Sequence, residues 1–313
     1  MPHPSPRELL DRYGLRAKKS WGQNFLGDEG ILDSIAALAV RQPGETVIEL
    51  GAGLGHLTAR LLARGARVVG VERDRDMARV LRGEFGDRIR LEEADAARID
   101  VRALARLVVP DVAEPPGGPP ALAGDAAPPA TPPQDAARTA VVGNIPYHLT
   151  SPILFTLLDQ AVAVSRAVLL VQREVAERLA ASPGVKDWGI LSVLLQQCAS
   201  VRVARIVPRG AFHPRPKVDS AVVVVEFGAR RSQAPDAARF RRLVKAGFAQ
   251  RRKTLRNALE AAHIAPRAEL ERALAAARID PSRRGETLTV EEWEGLDGAL
   301  GASPEPVGPP LGP

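Results

Sequence analysis

The residues best suited to chemistry are Asn144-Ile-Pro-Tyr147, which close an apolar run from Ala140 to Gly143. That run reads as a strand, so the tetrapeptide sits at a strand end. Pro146 fixes its own φ and pushes Ile145 towards extended geometry. The Pro146 carbonyl and the Asn144 side-chain oxygen can then face one point. Two acceptors there suit an exocyclic amino group, whose lone pair is normally delocalised into its ring. Holding both N–H bonds favours a more tetrahedral nitrogen with its lone pair available. Tyr147 adds a face on which a base can stack. Taken alone, the tetrapeptide also describes an ordinary proline turn.

A second group is Glu49-Leu-Gly-Ala-Gly-Leu-Gly-His-Leu-Thr58, between the apolar run Thr46–Leu50 and a helical pattern. Glycines there allow a sharp turn and a close approach of ligand to main chain. Glu72 follows Gly51 by 21 residues, at the end of the next apolar run. An acid so placed can accept both hydroxyl hydrogens of a ribose. A dinucleotide fingerprint would want glycine where His56 stands; here the glycines are Gly51, Gly53 and Gly55. With no diphosphate to seat, the spacing resembles the S-adenosylmethionine loop of class I methyltransferases. Asp95, after a third strand, can accept from an adenine amino group, or can simply cap a turn.

These residues need a scaffold that brings strand ends together. Strands at Thr46–Leu50, Arg67–Glu72, Ile89–Leu91, Ala140–Gly143 and Ala167–Gln172 alternate with helical patterns at His56–Ala63, Asp76–Phe85 and Pro152–Leu158. The alternation predicts an α/β fold, a mostly parallel sheet with helices on both faces. Val201–Val207 and Ser220–Phe227 read as a closing antiparallel pair. Beyond residue 235 the pattern is helical only. The expected division is a catalytic domain over 1–229, a small all-helical domain over 235–302, and a disordered tail over 303–313. Residues 1–20 read as basic and irregular. Pro110 to Ala137 holds nine prolines, eight alanines, four acids and no base. That density of proline predicts an inserted disordered loop.

Composition narrows the field. The 313 residues carry 43 Lys and Arg against 37 acids, a net charge of +6. A pI near 10 admits a polyanionic partner. The single cysteine, Cys198, excludes a disulfide framework and any multi-thiolate metal site. Five histidines show no metal-ligand spacing, so no metal is expected. No run is apolar enough to span a bilayer and the N-terminus lacks a signal core, which predicts a cytoplasmic protein without membrane contact. Ten Lys or Arg against one acid lie between Arg230 and Arg256. Several of them would share a helical face and bind phosphate. Arg16, Lys18 and Lys19 could form a second patch.

Asn-Ile-Pro-Tyr together with Gly-Ala-Gly-Leu-Gly resembles the ribosomal RNA adenine N6-methyltransferases. Three more segments sharpen the resemblance: Gly22-Gln-Asn-Phe-Leu-Gly-Asp28, Phe212-His-Pro-Arg-Pro-Lys-Val-Asp-Ser220 and Arg251-Arg-Lys-Thr-Leu255. With the ending Arg284–Trp293 they cover roughly residues 16–300 and point within the family to the small-subunit (16S) dimethylating branch. The resemblance implies a class I, Rossmann-like sheet and S-adenosyl-L-methionine as cofactor. Asn24, Leu26, Gly51, Gly53, Glu72, Asp95 and Asn144 would bind it. It also implies catalysis through Asn144, Pro146 and Tyr147, with Phe212 stacking on the target base opposite Tyr147. Arg251, Arg252, Lys253 and Arg256 would hold RNA. The implied reaction is N6,N6-dimethylation of two adjacent adenosines near the 3′ end of small-subunit rRNA, on an immature 30S particle, by a monomer. A large-subunit methylase, a non-catalytic assembly factor and, more distantly, a nicotinamide oxidoreductase remain as competing readings. His148-Leu-Thr-Ser and the long acidic insertion depart from the family pattern.

Overall fold

The computed structural model describes residues 3–108, 138–228, 236–250 and 252–301. The Pro/Ala-rich stretch 110–137, the tail 303–313 and Arg251 lie outside the described residues. The chain divides into two compact units, residues 1–173 with 204–227, and residues 174–203 with 228–313.

The first unit opens with α1 (Pro6–Arg12), a short strand β1 (Phe25–Leu26) and α2 (Glu29–Ala39). Then come β2 (Thr46–Leu50), α3 (His56–Ala63), β3 (Arg67–Val71), α4 (Arg75–Phe85), β4 (Ile89–Glu92) and α5 (Val101–Arg106). After the insertion follow β5 (Thr139–Asn144), α6 (Thr150–Asp159) and β6 (Val164–Gln172). The chain next enters the second unit through α7 (Arg173–Leu179) and α8 (Ile190–Cys198) and returns along β7 (Ala199–Val207) to β8 (Phe212–His213) and β9 (Ser220–Phe227). The second unit is completed by α9 (Ala237–Phe248), α10 (Leu255–Ala261), α11 (Arg267–Ala276) and α12 (Val290–Gly301). No described helix is long and apolar enough to cross a membrane.

Seven strands form one sheet in the order β4-β3-β2-β5-β6-β9-β7. Pairs β4–β3, β3–β2, β2–β5 and β5–β6 are parallel, and β9 runs antiparallel to β6. Successive residues of a strand point to opposite faces, yet β5 and β9 are buried along almost their whole length. Both faces of the sheet are therefore covered, as the unbroken apolar runs Ala140–Gly143 and Ala221–Val225 require. Chain order reverses at β2, which lies between β3 and β5. The crevice beyond the carboxyl ends of β2 and β5 is the switch point of such a sheet.

The two late strands, β7 and β9, are neighbours at the edge of the sheet as the sequence predicts, with β9 between β6 and β7. Three expectations need correction. Residues 1–20 are not irregular: Ser5 caps α1, with Glu8 returning a bond to the Ser5 N–H in a capping box and Pro6 at the first helical position. A single cut at 229–235 does not describe the division, since α7 and α8 belong with the helical unit. The basic block does not lie on one helix face: α9 ends at Phe248, and Arg252 and Lys253 precede Thr254, which caps α10.

The helical unit closes on its own core. Trp293 is fully enclosed and lies 6.0 Å from the Phe248 ring, and the Trp188 indole N–H donates to the Leu288 carbonyl at 3.1 Å. Both tryptophans are packing residues.

In the sheet unit, Gly55 sits at φ +82° just before α3, and a Cβ there would lie 2.2 Å from the Phe85 ring. The left-handed backbone and the missing side chain are both required. Gly55→Ala is expected to cost about 2–4 kcal/mol, read as a lower urea midpoint with an unchanged slope.

Candidate active site

The carboxyl ends of β2, β3 and β5 surround a cavity of about 910 Å³ that opens to solvent. Its walls include Asn24, Phe25 and Leu26 from the N-terminal segment, Gly51 and Gly53 from the glycine loop, and Glu72 from the turn after β3. Asn144 to Tyr147 complete it.

Each wall is fixed by its local chemistry. Gly51 and Gly53 adopt φ values of +68° and +57°. A Cβ on Gly53 would come within 3.2 Å of the Phe25 ring, so the loop lies flat under the N-terminal segment. The Gly53 N–H donates to Glu72 Oε2 at 2.9 Å, and the Asp74 N–H donates to Oε1 at 2.8 Å. Glu72 is buried, and burial raises its carboxyl above the ordinary value against the pull of those amides.

The Asn144 amide Nδ2 donates to the Asn24 carbonyl at 2.8 Å. A carbonyl can only accept, which fixes the orientation of the amide and leaves Oδ1 as the free acceptor. The Pro146 carbonyl already accepts from the Leu149 N–H at 2.8 Å and keeps a second lone pair. The Tyr147 hydroxyl meets Ser220 Oγ at 3.0 Å, which anchors the ring, and burial raises its pKa.

Other expected residues are placed differently. Asp95 follows β4 at the same sheet edge but is not among the cavity walls. Its Oδ1 accepts from the Ala97 N–H at 3.0 Å and Arg73 approaches its Oδ2 at 3.5 Å. Phe212 is not an open second face: β8 pairs with β1, Leu26 opposite Phe212, and the ring is enclosed in the core with Leu26. Arg252 and Lys253 are exposed. Arg256 is half-buried and faces Glu271 at 3.3 Å. Lys18 is committed to ion pairs with Asp74 and Asp76. Trp21 lines the cavity.

The sequence reading also passed over Glu49. It lines the cavity, is 2% exposed, and accepts from Thr58 Oγ1 at 2.6 Å. Desolvation, reinforced by the nearby Glu72 charge, pushes its pKa up to about 8. The signal was present: an acid between Ile48 and Leu50 of a run buried on both faces has nowhere to point but inward or along the strand end. His56 also lines the cavity. Its Nε2–H donates to the Pro4 carbonyl at 2.9 Å, and burial lowers its pKa to about 4, so it is neutral near pH 7.

A flat glycine loop, a buried carboxylate at the second strand end and apolar walls at Leu26, Leu57 and Ile145 suit a nucleoside joined to a short polar chain. With the strand order, they define the chain as a class I S-adenosylmethionine-dependent methyltransferase. The residues present fit that cofactor. Comparison with known proteins narrows the class. A family model described as ribosomal RNA adenine dimethylase matches residues 14–295. The chain is 66% identical over 299 residues to the ribosomal RNA small subunit methyltransferase A of Anaeromyxobacter dehalogenans strain 2CP-C, covering 96% of this chain and 99% of that one. Identity to the protein of the same name from Myxococcus xanthus strain DK1622 is 47%, over 95% of each chain. Among solved structures, the 23S rRNA methyltransferase ErmE has 26% identity and a TM-score of 0.61, covering 89% of this chain and 100% of that chain. A dimethyladenosine transferase from Plasmodium falciparum shares the fold at 22% identity and a TM-score of 0.62, over 87% and 95%. The chain belongs to the ribosomal RNA adenine dimethylase family.

Glu49 gives the site a pH signature. Its folded pKa of about 8 exceeds its ordinary 4.5, so the fold favours the protonated form. That stabilisation is complete below about pH 4.5 and is lost as pH rises through 8. Glu49→Gln stays neutral throughout. Wild-type stability relative to this variant should therefore decline between pH 5 and 9 in urea titrations. A difference that does not change with pH would show the carboxyl to be charged across the window.

Proposed function

We propose that this chain dimethylates N6 of two adjacent adenosines near the 3′ end of small-subunit rRNA, on the immature particle. The observation that carries the reaction is Asn144, whose Nδ2 is held by the Asn24 carbonyl so that Oδ1 is left as an acceptor in the cavity that Pro146 also lines. The 66% identity to a small-subunit enzyme, against 26% to the 23S enzyme, supports the choice of RNA.

Bound S-adenosylmethionine supplies an electrophilic methyl group. The side chains of this chain provide position. Asn144 Oδ1 and the Pro146 carbonyl accept the two N6 hydrogens of an adenine swung out of its helix or loop. Tyr147 offers the stacking face, held by Ser220. Both acceptors stabilise the developing positive nitrogen, and alignment accounts for most of the acceleration. The proton then leaves to water. On the second round one acceptor still has an N–H and the other faces the first methyl. Glu72 holds the ribose hydroxyls, with Gly51, Gly53, Asn24 and Leu26 shaping the remaining wall.

RNA is held in part by the helical unit. Arg252 and Lys253 are exposed cations of the basic block, as are Arg242 and Lys245, and we assign Arg252 and Lys253 to phosphates. Arg256 is left as a structural partner of Glu271.

Labelled methyl transfer to immature small subunits, mature small subunits and large subunits, with nucleoside analysis, tests the reading. Dimethyladenosine is expected in immature small subunits only. Label in large-subunit RNA would reassign the substrate, and cofactor and RNA binding without label would make the chain an assembly factor. Asn144→Ala should lower kcat by 10²-fold or more, of the order seen on removing one oriented polar group at a reacting centre. Cofactor affinity should change far less in the same variant. Lys253→Gln should weaken RNA binding and reduce the slope of log affinity against log salt by about 1.

A further inference from the structure

Asp74 is not among the cavity walls, yet it is 2% exposed and both its oxygens are engaged. Oδ1 accepts from Lys18 Nζ at 2.7 Å and from the Asp76 N–H at 3.0 Å. Oδ2 accepts from Gln23 Nε2 at 2.7 Å. Its own N–H donates to Glu72. Capping α4 requires only the bond to Asp76. The others join the N-terminal segment to the turn that carries the ribose-binding acid.

The segment's internal bonds make this join directional. Gln23 Oε1 accepts from the Lys18 N–H at 2.8 Å, which leaves its amide nitrogen facing Asp74. The next residues, Asn24, Phe25 and Leu26, are cavity walls, and Asn24 holds Asn144. Trp21 lies between Lys18 Nζ, 5.5 Å from its ring, and the Arg73 guanidinium at 5.6 Å. Lys18 also reaches Asp76 at 2.7 Å. One buried carboxylate thus ties the strand-end acid to the wall at residues 24–26.

We propose that Asp74 is a positioning residue for cofactor binding. Through Lys18 and Gln23 it latches segment 18–24, and so sets the wall at residues 24–26 in register with the Glu72 carboxylate. This rests on the reading of the cavity as the S-adenosylmethionine site. With the latch made, the wall is ordered before the ligand arrives. With the latch cut, ordering the segment draws on binding free energy, and affinity falls.

Asp74→Asn separates latch from cap. Asparagine caps a helix as well as aspartate does. Its amide nitrogen would face the Gln23 amide nitrogen, and the charge opposite Lys18 is gone. With S-adenosylmethionine alone, calorimetry should show a roughly tenfold weaker dissociation constant, the scale of a lost charged hydrogen bond. Trp188 and Trp293 are buried, so acrylamide quenching reports Trp21, and it should rise in the variant. Lys18→Met, at a partly exposed position, should act in the same direction. The double variant should be no worse than the weaker-binding single, because both cut one link.

Wild-type affinity in both single variants would overturn the proposal. So would weaker binding with unchanged Trp21 quenching, since the effect would then bypass the segment. Additive losses in the double variant would also count against a shared link. If wild-type protein failed to bind S-adenosylmethionine, the cofactor reading would fall, and this inference with it.

Discussion

The site depends on a carboxylate that the fold has removed from water. Glu72 stands at the end of β3 with its oxygens bonded to the main-chain N–H groups of Gly53 and Asp74. A buried carboxylate without such donors costs several kcal/mol. The donors come from two different connections, the glycine loop after β2 and the turn into α4. Both loops must therefore adopt one conformation for the acid to be tolerated. Gly51 and Gly53 supply the positive φ angles that turn the loop's N–H inward, and the Asp74 cap fixes the other donor. The parallel pairing of β2 with β3, Leu50 opposite Val71, brings the two loops to one edge. Sheet register, loop geometry and ligand chemistry are in this way a single constraint.

The N-terminal segment completes what the sheet alone leaves open. A parallel sheet offers strand ends on one edge and no wall opposite them. Here β1 supplies that wall by pairing with β8, and the Gly27 N–H bonds the Ala211 carbonyl just beyond. The same pairing explains the burial of Phe212, which is the residue opposite Leu26. Asn144 is oriented from this side too, through the Asn24 carbonyl. The orientation of this tetrapeptide's first residue is set by a contact 120 positions away in the chain, not by its own strand.

Much of this was legible in the sequence because it is local. α3 runs from His56 to Ala63 as the spacing predicts, and β2 from Thr46 to Leu50. The glycine loop, Glu72 and the Asn144 tetrapeptide were found because their positions relative to strand ends carry the signal. What was missed depends on partners far along the chain. Two-residue strands such as β1 and β8 have no periodicity and exist only as a pair. Phe212 looked available because its burial is set by β1. The grouping of α7 and α8 with the helical unit is a packing outcome, which a linear cut cannot show. The Ser5-x-x-Glu8 capping box was local and readable, and was hidden only by the basic residues around it.

The distribution of perturbed groups indicates how the reaction can depend on pH. Glu49, Glu72 and His56, the strongly desolvated titratable walls, lie on the cofactor side of the cavity. Beside the Asn144 tetrapeptide the perturbed group is Tyr147, bonded to Ser220 and pushed towards remaining protonated. A general base would need a pKa near the working pH and reach to the reacting proton. Tyr147 has the wrong direction of shift, and His56 gives its Nε2 proton to Pro4. The arrangement at Asn144 is one of fixed acceptors, effective in either protonation state of its surroundings. Charge at the carboxyls enters instead through ligand binding: a cationic ligand favours their ionised forms and offsets the desolvation that raised their pKa values. Two buried acids at the switch point are thus costly to ionise in the protein alone and matched to a positively charged guest, while the perturbed group beside the Asn144 tetrapeptide is held neutral.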